Sequence, residues 1–85
     1  MPRKVLPKAR RVARQLSAAL GPGEYVLAKD FAVTLSAAYG KSSRSWYVLL
    51  SQLFIDGKPA RKYMAGFVKG YAPCGHVAIM REKRS

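Results

Sequence analysis

Ala9, Val12, Ala13, Leu16, Ala19 and Leu20 recur at the spacing of one helical face, and Gly21-Pro22-Gly23 then cuts the pattern off. An amphipathic helix with a hard stop is the strongest constraint in this chain. Such a helix must lay its apolar stripe on other elements, so the residues beyond the stop have to supply a partner face. Pro7 can open the helix in its first turn, where a missing N–H costs nothing. The expected organisation is a flexible basic arm over 1–7, a single domain over 8–82 and a frayed basic tail over 83–85.

After the stop, Glu24-Tyr25-Val26-Leu27 reads as a brief strand. Ala28, Phe31, Ala32, Leu35, Ala38 and Tyr39 then repeat the helical spacing, and Gly40 supplies a terminating residue that tolerates positive φ. Phe31, Val33 and Leu35 also alternate as a strand would, but the helical match is longer and is preferred. Lys41-Ser42-Ser43-Arg44-Ser45 reads as a polar, basic turn in which Ser43 or Ser45 can cap the next element. From Trp46 to Ile55, Tyr47, Leu50, Leu53 and Phe54 form one helical stripe, and Trp46, Leu50 and Leu53 an overlapping one. The run is long for a strand, so a helix is expected, with a buried strand turning at Asp56-Gly57 as the alternative. Ala60, Tyr63, Met64, Phe67 and Val68 are helically spaced behind Pro59, but Gly66 and Gly70 weaken that helix. Residues 62–72 and 76–82 read instead as an antiparallel hairpin around Ala72-Pro73-Cys74-Gly75.

Composition narrows the function. The 85 residues carry 16 Lys+Arg against 4 Asp+Glu, a net charge of +12, yet 49% are hydrophobic, enough for one modest core. That length excludes a two-domain enzyme, and no stretch approaches the roughly 20 apolar residues of a membrane span. The start of the chain lacks the apolar run of a secretory leader, so an intracellular place, cytoplasm or nucleoid, is expected. Cys74 is the only cysteine, which excludes an internal disulfide and a cysteine-based zinc cluster. One histidine, four scattered acids (Glu24, Asp30, Asp56, Glu82) and no phosphate-binding glycine loop leave no catalytic constellation. No enzyme activity, cofactor or metal is expected. A charge of +12 on so small a body calls for a polyanionic partner, and nucleic acid is the expected one rather than a membrane.

The element order is helix, short strand, helix, basic turn, helix, hairpin. Within it, Asp30-Phe31-Ala32 is similar to the start of a second helix whose small residue allows close packing. Ser42-Ser43-Arg44-Ser45 resembles the polar start of a recognition helix, and Leu50-x-x-Leu53-x-x-x-Gly57-Lys58 its end. The chain thus resembles a winged helix-turn-helix domain over residues 8–82. The resemblance implies an α+β fold of three helices followed by a C-terminal β-hairpin, the wing. The turn between the second and third helices, about Tyr39 to Ser43, reads as longer than the tight version, and the third helix as more apolar than usual.

The candidate nucleic-acid-binding residues fall in three groups: Arg3, Lys4, Lys8, Arg10, Arg11 and Arg14; then Lys41, Ser42, Ser43, Arg44 and Ser45; then Lys58, Lys62, Lys69 and Tyr71. A helix start with cations and free N–H groups suits phosphate, and Arg44 also suits a bidentate contact with guanine. His76 lies across the hairpin from Tyr71 and is a further candidate beside it. Trp46 and Tyr47 can stack on unpaired bases, but beside Leu49 and Leu50 they are expected in the core. The expected function is binding of duplex DNA, as a small regulator or chromatin-type protein, with a homodimer possible. The alternatives are an RNA-bound structural protein such as a small ribosomal component, which the basic arm suits, and a protein-binding adaptor.

Overall fold

A computed structural model describes residues 5–55, 58–59 and 64–83. Its elements are α1 (Val5–Ala19), β1 (Tyr25–Leu27), α2 (Ala28–Tyr39), α3 (Ser43–Leu53), β2 (Phe54–Ile55), β3 (Lys58–Pro59), β4 (Phe67–Tyr71) and β5 (Val77–Arg81). Over these residues the protein is a small α+β domain with three helices and antiparallel strands.

The apolar stripe of α1 is buried through Ala9, Val12 and Leu16, with Leu20 just past the helix end. Opposite it lie Ala28, Phe31, Ala32 and Leu35 of α2 and Trp46, Leu49, Leu50 and Leu53 of α3, joined by Phe54, Met64, Phe67 and Ile79 in one core cluster. Val33 settles the helix-or-strand question for α2. It is 57% exposed while Phe31 and Leu35 are buried, and a strand would have put all three on one face. In α3 the buried stripe is the one through Trp46, Leu50 and Leu53. Tyr47 is only half-buried and packs at the margin of the core.

The main sheet has three strands in the order β1-β5-β4, all antiparallel. Tyr25, Val26 and Leu27 oppose Met80, Ile79 and Ala78, while Phe67 opposes Arg81 and Tyr71 opposes Val77. This sheet is why the Gly21-Pro22-Gly23 stop matters. Gly23 adopts φ 80°, its N–H donates to the Arg81 carbonyl at 2.9 Å, and the turn delivers β1 alongside β5. Arg81 itself closes the corner. Its N–H donates to the Glu24 carbonyl at 2.9 Å and its Nη1 to the Leu20 carbonyl at 2.5 Å, with the guanidinium 5.7 Å from the Phe67 ring centre.

Three boundaries differ from the sequence expectation. α1 starts at Val5, so the residues next to Pro7 are helical rather than part of an arm. Pro7 is accommodated because the first helical N–H groups have no intrahelical acceptor to lose. α3 starts at Ser43, so Ser43, Arg44 and Ser45 form its first turn instead of a loop. Phe54-Ile55 leave the helix to pair with Lys58-Pro59, in the register Phe54↔Pro59, and Pro59 therefore does not open a helix. Residues 1–4, Lys62 and the last two positions lie outside the described residues.

The packing sets a sharp contrast within one helix. Phe31→Ala should lower unfolding stability by about 3–5 kcal/mol through transfer and cavity terms. Val33→Ala, on the exposed side, should change it by less than about 0.5 kcal/mol. Urea unfolding of both variants checks this, and comparable losses would contradict the helical register of α2.

Candidate nucleic-acid interface

α3 is presented by a connection of three residues, 40–42, bonded from both sides. Gly40 takes φ 78° and Lys41 φ 65°, a left-handed conformation that costs a lysine on the order of 1 kcal/mol. The Gly40 N–H donates to the Ser36 carbonyl at 2.9 Å, and Ser36 Oγ donates to the Lys41 carbonyl at 2.6 Å. From the other side, Trp46 Nε1 donates to the Gly40 carbonyl at 2.7 Å, and its ring lies 5.9 Å from that of Tyr39. Trp46 is thus a buried anchor whose one polar atom finds a partner.

Ser42 caps α3. The Ser45 N–H donates to Ser42 Oγ at 3.2 Å, and the two hydroxyls are 3.0 Å apart. The cap is one residue earlier than the earliest one expected. It leaves Ser43 and Arg44 in the first helical turn, where backbone N–H groups have no acceptor within the helix. Lys41 and Arg44 are both exposed beside those N–H groups.

α1 is tied to the same junction. Arg11 places its guanidinium 5.2 Å from the Tyr39 ring centre, and Gln15 Nε2 donates to the Tyr39 hydroxyl at 3.2 Å. The junction therefore gathers residues far apart in the chain around one aromatic pair.

With Trp46, Leu49, Leu50 and Leu53 facing the core, the opposite side of α3 carries Arg44, Val48, Ser51 and Gln52, all exposed. A groove of about 170 Å³ runs along one flank of this ridge, where Lys8 of α1 joins Lys41, Ser45, Val48 and Gln52. Along the other flank a shallow cleft brings Lys69 of β4 beside Ser51 and Leu50. Three cations that are distant in sequence thus border the outer face of one helix.

The remaining candidates are more widely spread. Arg10 and Arg14 are exposed one turn apart on α1. Ser43 is half-buried. Lys58 is exposed on β3, which lies against β4. Tyr71 is 70% exposed at the end of β4, and His76 is exposed in the loop after it, where its carbonyl accepts from Ala72 N–H at 2.9 Å. Arg3, Lys4 and Lys62 lie outside the described residues. Val48, Ser51 and Gln52 were not singled out in the sequence. Their signal was their position opposite the Trp46–Leu50–Leu53 stripe, legible once that stripe is known to be the buried one.

Among the described residues no cluster of His, Cys, Asp and Glu could hold a metal ion, and no helix is long and apolar enough to cross a membrane. The chain matches no protein-family model, no curated protein and no solved structure.

The cap makes a local prediction. Ser42→Ala should lower stability by about 1 kcal/mol, because an N–H acceptor is lost at the helix start. Ser45→Ala keeps that backbone bond and should cost clearly less. Equal losses on chemical denaturation would place the cap elsewhere.

Proposed function

We propose that the protein is a winged helix-turn-helix protein that binds duplex DNA, acting as a small regulator or chromatin-type protein. The observation that carries this reading is the outer face of α3, exposed along its length and bordered by Lys8 and Lys41 on one side and Lys69 on the other. A helix is about 10–12 Å across with its side chains, and the major groove of B-form DNA is about 12 Å wide. A solvent-facing helix with cations on both flanks suits that groove, since cations there face the phosphates on its banks.

Two features of the architecture support the same reading. The chain runs helix, strand, helix, helix, strand, strand with its sheet in the order β1-β5-β4, and the small β2–β3 pair is added after α3. The connection between α2 and α3 is three residues, within the length of a helix-turn-helix turn and shorter than the sequence had suggested. In this reading β4 and β5 form the wing, with Tyr71 and His76 near its tip and Lys69 midway along β4, facing α3. The buried Trp46 removes a base-stacking role for that residue.

The net charge of +12 makes binding strongly dependent on salt. About six phosphate contacts give a slope of roughly −5 in log K against log salt. Fluorescence anisotropy on a mixed-sequence duplex and on a structured RNA, each across a salt series, tests this. Tighter binding to the duplex with that slope is expected. Tighter binding to the RNA would favour an RNA-bound structural role, and no binding to either at low salt would leave a protein-binding adaptor. Arg44→Ala is expected to weaken duplex binding about tenfold and to relax any sequence preference. Unchanged affinity across several duplex sequences would remove α3 from the interface.

A further inference from the structure

The ridge of α3 is chemically unlike its borders. Among the exposed residues of its outer face, only Arg44 is charged. Val48, Ser51 and Gln52 offer methyl groups, a hydroxyl and a carboxamide, and Ile55 is exposed in β2 just beyond the helix. Val48 is 49% exposed and Ile55 62%, in a protein that otherwise buries most of its large aliphatic side chains. Phosphate is attracted by cations, and the cations stand to either side: Lys8 and Lys41 on one flank, Lys69 on the other. Neutral, hydrogen-bonding and methyl-bearing groups along the crest match what base edges present.

We propose that this crest reads sequence, with Arg44, Val48 and Gln52 selecting a guanine, a thymine methyl and an adenine in turn. The inference rests on the duplex-DNA reading and adds a specificity to it. Arg44 can donate two N–H groups to guanine O6 and N7. Gln52 can donate to adenine N7 and accept from its N6 amino group. The Val48 methyls can lie against a thymine C5-methyl. At a rise of about 1.5 Å per residue, Val48 stands about 6 Å from Arg44 along the helix and Gln52 about 12 Å. At about 3.4 Å of axial rise per base pair, and with the helix inclined along the groove, those offsets span at most about two and four base pairs. The preferred element is therefore a G·C pair with A·T pairs beyond it, all within about four base pairs and read from the major groove. A-form RNA offers no equivalent, because side chains cannot read its deep, narrow major groove.

Ser51 has a different part. Its Oγ donates to the Tyr47 carbonyl at 3.2 Å, which turns the hydroxyl back onto the helix. It keeps the Lys69 side of the ridge low, beside Val48.

The test is selection of bound duplexes from a randomised pool, then affinity measurements on the selected site. Enrichment of a G·C pair with A·T pairs on one side of it, within about four positions, is expected. Replacing the selected thymine by deoxyuridine deletes only its methyl group, and should weaken wild-type binding about fourfold. Val48→Ala should lose that difference, and Gln52→Ala should lose about tenfold in preference for adenine at its position. Val33→Ala, on the outer face of α2, should bind as the wild type does. All three positions are exposed, so circular dichroism and melting of the variants should match the wild type. Salt-dependent duplex binding without enrichment, or with deoxyuridine and thymine bound equally, would overturn this specificity while leaving the duplex-binding reading in place. Absence of duplex binding at low salt would overturn both.

Discussion

The bond from the Trp46 indole to the Gly40 carbonyl, 2.7 Å long, joins the buried side of α3 to the turn that introduces it. The indole ring is in the core, so the turn cannot shift without disturbing the packing beneath it. Gly40 at φ 78° and Lys41 at φ 65° then let the chain reverse within three residues, and Ser42 starts the next helix at once. The orientation of α3 comes from this junction. Its buried side is set by Trp46, Leu49, Leu50 and Leu53, and its exposed side is whatever remains.

Tyr39 extends the same constraint to α1. Its ring meets Trp46 on one side and the Arg11 guanidinium on another, and its hydroxyl accepts from Gln15. The junction brings a cationic helix beside the start of α3 through a ring contact and a hydrogen bond. The sheet does the corresponding work on the far flank. The β1-β5-β4 order depends on the glycine turn before β1 and on Arg81, whose backbone and side chain both bond to the segment around that turn. Through β5, that corner positions β4 and with it Lys69. Local backbone chemistry thus sets the distribution of charge on which the proposed function rests.

The helices were largely legible in the sequence because each has a regular apolar stripe and, for the first two, a glycine stop. Alternation at Phe31, Val33 and Leu35 competed with that reading, and the exposed Val33 shows why period rather than local alternation decided it. The start of α3 was harder. Ser42, Ser43 and Ser45 are near-equivalent caps on chemical grounds, and the choice among them depends on Lys41 adopting positive φ and on Trp46 bonding back to Gly40. Neither leaves a mark in local composition. The overlapping stripes through Trp46 and through Tyr47 differ by one helical position, and tertiary packing alone distinguishes them. The same ambiguity hid Val48 and Gln52, whose exposure depends on which stripe is buried. The bordering of α3 by Lys8 and Lys69 joins residues from opposite parts of the chain, so no reading of spacing could have found it.

The central claim is that α3 presents its outer face to duplex DNA between flanking cations. Backbone amide chemical shifts, tracked by NMR as a short mixed-sequence duplex is added, test it most directly. The largest changes should fall on Lys41 to Gln52 and on Lys69 to His76, with Val33 and Ala37 on the outer face of α2 unmoved. Changes concentrated on α2, or on Tyr25 and Met80 of the sheet, with α3 unmoved, would contradict the account.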